Sequence, residues 1–347
     1  MTEQVSRILL TNRYDRTMQG QLGRDLWYPL DDVGVVFGDT GCPNVGLQVS
    51  HFGYFGDGIA IAGGSAAGGA GNHLARSIDR GAHWTDLGAL IASYIMGVAV
   101  LGGGVAIATF MNGHVARTTD LGATWADLGD ITGGSYLSTA TNLGNGYAVA
   151  CGGPDDIIYR SRDYGLTWTA VVTPAGGAAW MRNTLYLGNG VLLAVGDSSR
   201  FLRSINYGAS WSNIAAQFPA VTGARYVCKL PNGGALIRSL EGDLWRTEDY
   251  GSTWWNQGPP IPGLGLGAVY GPVRYCGNGI VIASIDGLTR VCRSTDFGRT
   301  FVEIGALTGT TILATIFYLE RGIVLIGTRP IKIWRSEPKY FIGGFNE

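Results

Sequence analysis

The chain is poor in charge. Asp, Glu, Lys and Arg make up 15% of its 347 residues and nearly cancel, leaving a formal net charge of -1. No electrostatic case therefore exists for nucleic acid or an anionic membrane surface as a partner. Uninterrupted apolar runs of about twenty residues are absent, so no membrane span is expected. The start, Met1-Thr2-Glu3-Gln4, lacks the basic patch and apolar segment of a secretory signal. The five cysteines (Cys42, Cys151, Cys228, Cys276, Cys292) are odd in number and form no CxxC pair. A metal site is not indicated, and small buried thiols are expected instead. Only four histidines occur, His51, His73, His83 and His114, and they are not spaced as ligands. No Gly-x-Ser-x-Gly elbow or Cys/His arrangement is present, and the Gly-rich runs do not form a strand-to-helix phosphate cradle. No cofactor is expected.

What the chain has in quantity is glycine, 56 residues, set in a repeat. The segment Arg160-Ser161-Arg162-Asp163-Tyr164-Gly165-Leu166-Thr167-Trp168 recurs from Arg117 to Trp125 and from Arg246 to Trp254. Looser copies start at Ser77, Ser204 and Ser294, and a worn one runs from Trp334 to Tyr340. The Ser/Thr of the copies falls at 77, 118, 161, 204, 247, 294 and 336, in steps of 41, 43, 43, 43, 47 and 42. A period in the low forties built from short apolar runs predicts an all-β propeller rather than a helical solenoid.

Each repeated residue has a mechanical reason. Asp79, Asp120, Asp163, Asn206, Asp249 and Asp296 are placed to bond the backbone of a tight turn. The Gly two positions later suits a positive φ, and the Ser/Thr hydroxyl can hold another turn amide. The Trp or Phe then restarts a strand and drops apolar surface between packed sheets. This Ser/Thr-x-Asp-x-Gly-x-x-Trp pattern resembles the Asp-box, or BNR repeat, of sialidases, sortilin-type receptors, some glucanases and a photosystem assembly factor. The resemblance covers about three hundred residues. It implies a propeller in which the boxes are structural hairpins on the face away from the ligand.

A second hairpin signal precedes every box: Gly56-Asp57-Gly58, Gly102-Gly103-Gly104, Gly144-Asn145-Gly146, Gly188-Asn189-Gly190, Pro231-Asn232-Gly233-Gly234, Gly277-Asn278-Gly279 and Glu320-Arg321-Gly322. Asn-Gly between apolar runs is a strong hairpin marker. Runs such as Val191-Leu192-Leu193-Ala194-Val195 follow, apolar enough for strands covered on both faces. Each unit thus reads as strand A, Gly turn, strand B, variable loop, strand C, box and strand D. Seven units predict a seven-bladed propeller of four-stranded antiparallel blades, with six blades as the alternative if the last unit is a cap. Residues 26–347 are assigned to the propeller and residues 1–25 to a polar N-terminal arm. The arm reads either as an extension lying on the ring or as an attachment segment. Leu26-Trp27-Tyr28-Pro29-Leu30 matches the strand after each box and is expected to close the ring as the outer strand of the last blade.

In this strand order the Gly turns and boxes gather at one end, while B–C loops and D–A connections gather at the other. Variable loops on a rigid scaffold are where binding is sought. The candidate ligand-binding residues there are His73, His114, Asp155, Asp156, Trp180, Arg182 and Arg200. His73 and His114 follow B–C loops of adjacent blades and offer a metal pair if they approach one another. The small-residue loop at 63–71 is slack, a lid or an insertion into a partner.

Sialidase likeness would imply a Phe/Tyr-Arg-Ile-Pro motif, two further Arg, a Tyr/Glu nucleophile pair and an Asp acid. No such tetrapeptide is present; Arg182, Arg225 and Arg274 near strand A are the residues placed to reach the central channel. A glycosidase carboxylate pair would come from Asp155, Asp156, Asp197, Glu241, Asp243 or Asp286. Asp155 and Asp156 are adjacent, so on a strand they face opposite ways. The expectation is a non-catalytic recognition or structural module binding a protein assembly partner or a surface glycan, with self-association open. The low charge, with 10 Trp and 16 Tyr, is similar to exported carbohydrate-facing proteins, yet there is no export signal. A virion or tail component reconciles the two, with cytoplasm or a non-classical exit as other locations. The second reading is a sialidase-like glycoside hydrolase, and the third an assembly factor resembling the photosystem family.

Overall fold

The computed structural model describes residues 37–39, 48–65, 72–153, 157–174, 179–261, 271–285, 290–306, 312–319, 323–329 and 332–336. They form seven four-stranded antiparallel sheets. Six are blades of unbroken chain, over residues 48–89, 95–130, 137–172, 181–213, 224–258 and 273–306. The remaining sheet is composite: Ile312–Tyr318, Val324–Arg329 and Lys332–Ser336 are completed by Phe37–Asp39 from the other end of the chain.

The expected ring of seven alike blades, closed by residues 26–30, is therefore corrected. Contiguous blades number six, and the outer strand of the composite sheet is Phe37–Asp39, whose Phe37, Gly38 and Asp39 face Ser336, Arg335 and Trp334. Residues 26–30 and the arm at 1–25 lie outside the described residues. What selects the closing strand is pairing with the free edge at Lys332–Ser336.

The two hairpin signals work as one clamp. Asp57, Asn145, Asn189, Asn232 and Asn278 all take φ between 52° and 56°, each followed by Gly at positive φ. The residue after each box Asp or Asn (Arg80, Leu121, Tyr164, Tyr207, Tyr250, Phe297) takes φ between 57° and 62°, again followed by Gly at positive φ. Its N–H donates to the carbonyl of Gly58, Gly104, Gly146, Gly190, Gly233 or Gly279, so each box sits on the Gly turn of its own blade.

Inside the box the Ser/Thr hydroxyl donates to the Asp and accepts from the N–H of Asp and Gly. For Thr118 these contacts are 2.7, 3.3 and 3.1 Å. Asp120 then accepts from the Thr124 N–H at 2.9 Å and the Thr124 hydroxyl at 2.6 Å. In the fourth blade Asn206 reverses one bond: its Nδ2 donates to the Ser210 hydroxyl.

These bonds hold the carboxylates ionised. Asp120 lies at about 2, held down by the Thr124 hydroxyl, the Thr124 N–H and Thr118. Asp296 also lies at about 2: burial alone would raise it, but the bonds from Thr300 and Ser294 outweigh that. A carboxyl below its unfolded value of roughly 3.9 contributes stability that is intact above that pH and lost as pH falls toward 2. Thermal midpoints should therefore be flat near neutrality and fall between about pH 4 and pH 2. Asp296→Asn, which copies the fourth blade, should shallow that fall; an unchanged acid limb would count against the boxes as its origin.

An arginine before each Ser/Thr binds the blades together. Arg76, Arg117, Arg160, Arg203 and Arg246 donate to the carbonyls of Leu121, Tyr164, Tyr207, Tyr250 and Phe297 in the next blade. Arg335 of the composite sheet donates to Arg80 of the first blade at 3.0 Å, continuing the series across the seam.

Apolar packing follows the same circuit. First strands of neighbouring sheets touch all the way round and so surround the axis. Ile61 and Leu74 meet Ile95 and Phe110, Leu101 meets Leu137 and Tyr159, and Val149 meets Met181 and Leu202. Phe201 meets Ile237, Leu236 meets Val281, and Ile282 meets Ile326. At the seam Phe52 and Trp84 meet Leu319, Leu325 and Ile333.

Candidate functional site

The face built from B–C loops and D–A connections carries an arc of aromatic residues over three blades. Tyr94, Tyr136 and Trp180 each stand one residue before a first strand (Ile95–Gly102, Leu137–Gly144, Met181–Gly188). Each lends its backbone carbonyl to the far end of that blade's second strand, accepting from Met111, Gly153 and Asp197. This closeness explains two glycines: a Cβ at Gly152 or Gly196 would lie 1.9 Å from the Tyr136 carbonyl or 2.1 Å from that of Trp180. The rings of Tyr136 and Trp180 lie 4.9 Å apart, tilted by 31°.

The arc runs on into charge. The Arg182 guanidinium stacks 4.5 Å from the Trp180 ring centre and donates through both Nε and Nη2 to one oxygen of Asp197. Arg225, in the next blade, places its Nε 3.8 Å from the other oxygen. Arg182 and Arg225 both sit at a bulge, where register shifts between Met181 and Asn183 and between Ala224 and Tyr226. A bulge re-aims a side chain out of the pleat, which turns both toward the same carboxylate. Two guanidiniums on one carboxylate leave the cluster with an excess of positive charge.

The loop bearing Asp197 is held rigidly. Ser198 and Ser199 take φ of 54° and 55°, costly for residues with a Cβ. Ser199 donates from its N–H to Thr222 and from its hydroxyl to Val221, at 2.8 and 2.7 Å. Glu241 accepts from the Thr222 N–H and hydroxyl. Those bonds lower its pKa although burial works the other way.

The other sequence candidates fall elsewhere. Arg200 is 4% exposed and closes the turn that bears Asp197: its N–H donates to the Asp197 carbonyl at 3.3 Å and its carbonyl accepts from the Gly196 N–H at 2.9 Å. Asp155 and Asp156 lie outside the described residues. His73 and His114 do not form a pair with each other. Each binds, through Nδ1, a carboxylate on its own blade's outer strand: Asp86 at 2.7 Å and Asp127 at 2.9 Å. Asp243 with Asn256 and Arg290 with Glu303 make the same thirteen-residue pairing. The position thus buttresses strands C and D in blade after blade. Among the described residues no cluster of three or more metal-ligating side chains occurs. Arg274 does not join Arg182 and Arg225 but stacks 4.9 Å from Phe317.

Tyr94 and Tyr136 were not singled out by motif. Their signal is faint but present: an aromatic before the first strand at 94, 136 and 180, in near step with the boxes.

No protein-family model matches the chain, and no curated protein matches it. Solved structures do. YCF48 bound to D1 peptide superposes with a TM-score of 0.70 at 17% identity, covering 86% of this chain and 95% of that one. Streptogramin B lyase gives 0.71 at 12% identity, covering 87% and 97%. The GH74 xyloglucanase from Xanthomonas campestris gives 0.68 at 17% identity, covering 89% of this chain and 55% of that one. Binders and enzymes thus stand side by side on this architecture, and at these identities what the chain shares with them is the β-propeller fold.

Proposed function

We propose that this chain is a non-catalytic recognition propeller of the Asp-box type, which holds a partner protein against its aromatic–arginine face within a larger assembly such as a virion or tail. The observation that carries the reading is the continuous run Tyr136–Trp180–Arg182–Asp197–Arg225 across three blades. Rigid aromatic and arginine side chains are the groups enriched where proteins anchor one another. The box hydrogen bonds, repeated in six blades, support the Asp-box assignment. That YCF48 holds a peptide on a similar scaffold supports a protein partner.

The acids among the described residues support the non-catalytic part of this reading. A glycosidase needs one carboxyl with a raised pKa beside one ionised partner. The shifted carboxyls among the described residues all move down: Asp79, Asp120, Asp130, Asp163, Glu241, Asp249 and Asp296. Asp197 is occupied by arginine.

The test is to isolate the protein from its native source at native abundance, beside a Trp180→Ala variant. A partner present in fixed stoichiometry should be lost from the variant, with on the order of a tenfold or greater drop in affinity for an anchoring aromatic. Retention of the partner by Trp180→Ala, or turnover of a polysaccharide by the purified protein, would contradict the reading.

A further inference from the structure

The box face is not the same from blade to blade. Leu166 (53% exposed) and Tyr164 (42%) from the third blade's box, with Ile205 (66%) and Tyr207 (38%) from the fourth, put four large apolar side chains in solvent on two adjacent boxes. Ile78, Leu121 and Phe297 supply only one each in the first, second and sixth blades. Around Tyr207 the rings gather: Tyr147 at 5.7 Å and Tyr186 at 6.2 Å. Cations frame them. Arg160 lies 5.1 Å from the Tyr147 ring centre and donates to the Tyr207 carbonyl, and Lys229 lies 5.6 Å from the Tyr186 ring centre. Burial lowers the Arg160 pKa, and Arg162, which is exposed, is near enough to lower it further by charge repulsion.

The carboxylate that every other described box places here is missing. Asn206 stands in its position, accepting from the Ser204 hydroxyl and the Ser210 N–H as the aspartates accept in theirs, while its Nδ2 donates to the Ser210 hydroxyl. The turn is kept and its negative charge removed at a box packed among tyrosines and cations. The geometry points to a second interaction surface, centred on Tyr207 and Asn206, that takes an acidic, proline- or aromatic-bearing peptide segment of a partner protein. Tyrosine offers rigid, amphipathic contact area at low entropic cost. Lys229 and Arg162 offer the complementary charge for glutamate or aspartate, and a carboxylate at position 206 would oppose it. The surface lies opposite the aromatic arc and does not depend on it.

The test uses the full chain and a fluorescent peptide of alternating glutamate and proline, read by anisotropy at low and moderate salt. Binding that weakens with salt is expected, and an alternating glutamine–proline peptide should bind less well. Asn206→Asp should weaken the acidic peptide about fivefold, as should Lys229→Glu, through charge alone. Asn206→Asp should melt no lower than the parent, since Ser210 can donate to the new oxygen as Thr124 does to Asp120. Trp180→Ala, on the other face, should leave this affinity unchanged, so the two surfaces fail or stand separately. Equal binding by Asn206→Asp and Lys229→Glu, no binding of the acidic peptide, or tighter binding of heparin than of the peptide would each overturn the proposal.

Discussion

Leu325→Ala is expected to cost about 2–5 kcal/mol, the range for emptying a fully buried leucine site. Leu325 is 0% exposed in a strand of the composite sheet, in one cluster with Val49, Phe52 and Trp84 of the first blade. It also lies against the first box, where a Cβ added to Gly81 would stand 3.0 Å from it. The leucine thus joins the two ends of a long circuit. Chemical denaturation should show a lower midpoint with an unchanged slope, as for a ring that unfolds as one unit. Leu193→Ala, in the packing between the fourth and fifth blades, should cost a similar amount. A near-neutral Leu325→Ala beside a costly Leu193→Ala would mean that the seam does not carry load.

Thr247→Val should be the most damaging change that leaves shape intact. The Thr247 hydroxyl is wholly buried, donates to Asp249 at 2.7 Å, and accepts from the N–H groups of Asp249 at 3.3 Å and Gly251 at 3.0 Å. Valine fills the same space but satisfies none of them. The Gly251 N–H is then buried without a partner, and the Asp249 carboxylate loses one of its donors. A buried polar group left unmatched costs about 1–3 kcal/mol, more when a charge is involved. A thermal midpoint lowered by several degrees is the expected result. Thr247→Ser, which keeps the hydroxyl and matches the box serines at 77, 161, 204 and 294, should recover most of the loss. Equal behaviour of the Val and Ser variants would remove the hydroxyl from the account.

The scaffold was legible because its physics is local. A box closes on itself within four residues, so Ser161, Asp163, Gly165 and Thr167 announce the turn wherever they recur. Asn189-Gly190 announces its hairpin for the same reason. The site was half legible. Trp180 stands out at the end of the D–A connection and Arg182 at the start of strand A, but their meaning depends on Asp197, fifteen residues on from Arg182, and on Arg225 in another blade. His73 and His114 misled because each binds a carboxylate thirteen residues away, a pairing visible only once strands C and D lie side by side. The closing strand was the least legible feature, since Phe37–Asp39 is short and owes its place to an edge nearly three hundred residues away.

The most direct test of the closed ring is a disulfide across the seam. Phe37 and Ser336 are register partners, so cysteines at both should lie within bridging reach. The native Cys151, Cys228, Cys276 and Cys292 are buried, with thiols pushed up to between about 11 and 12 by desolvation, and should not compete. In a Cys42→Ser background, Phe37→Cys/Ser336→Cys should oxidise quantitatively within the folded monomer and raise the thermal midpoint. Free, readily alkylated thiols at both positions in the folded protein would show that Phe37–Asp39 does not close the ring.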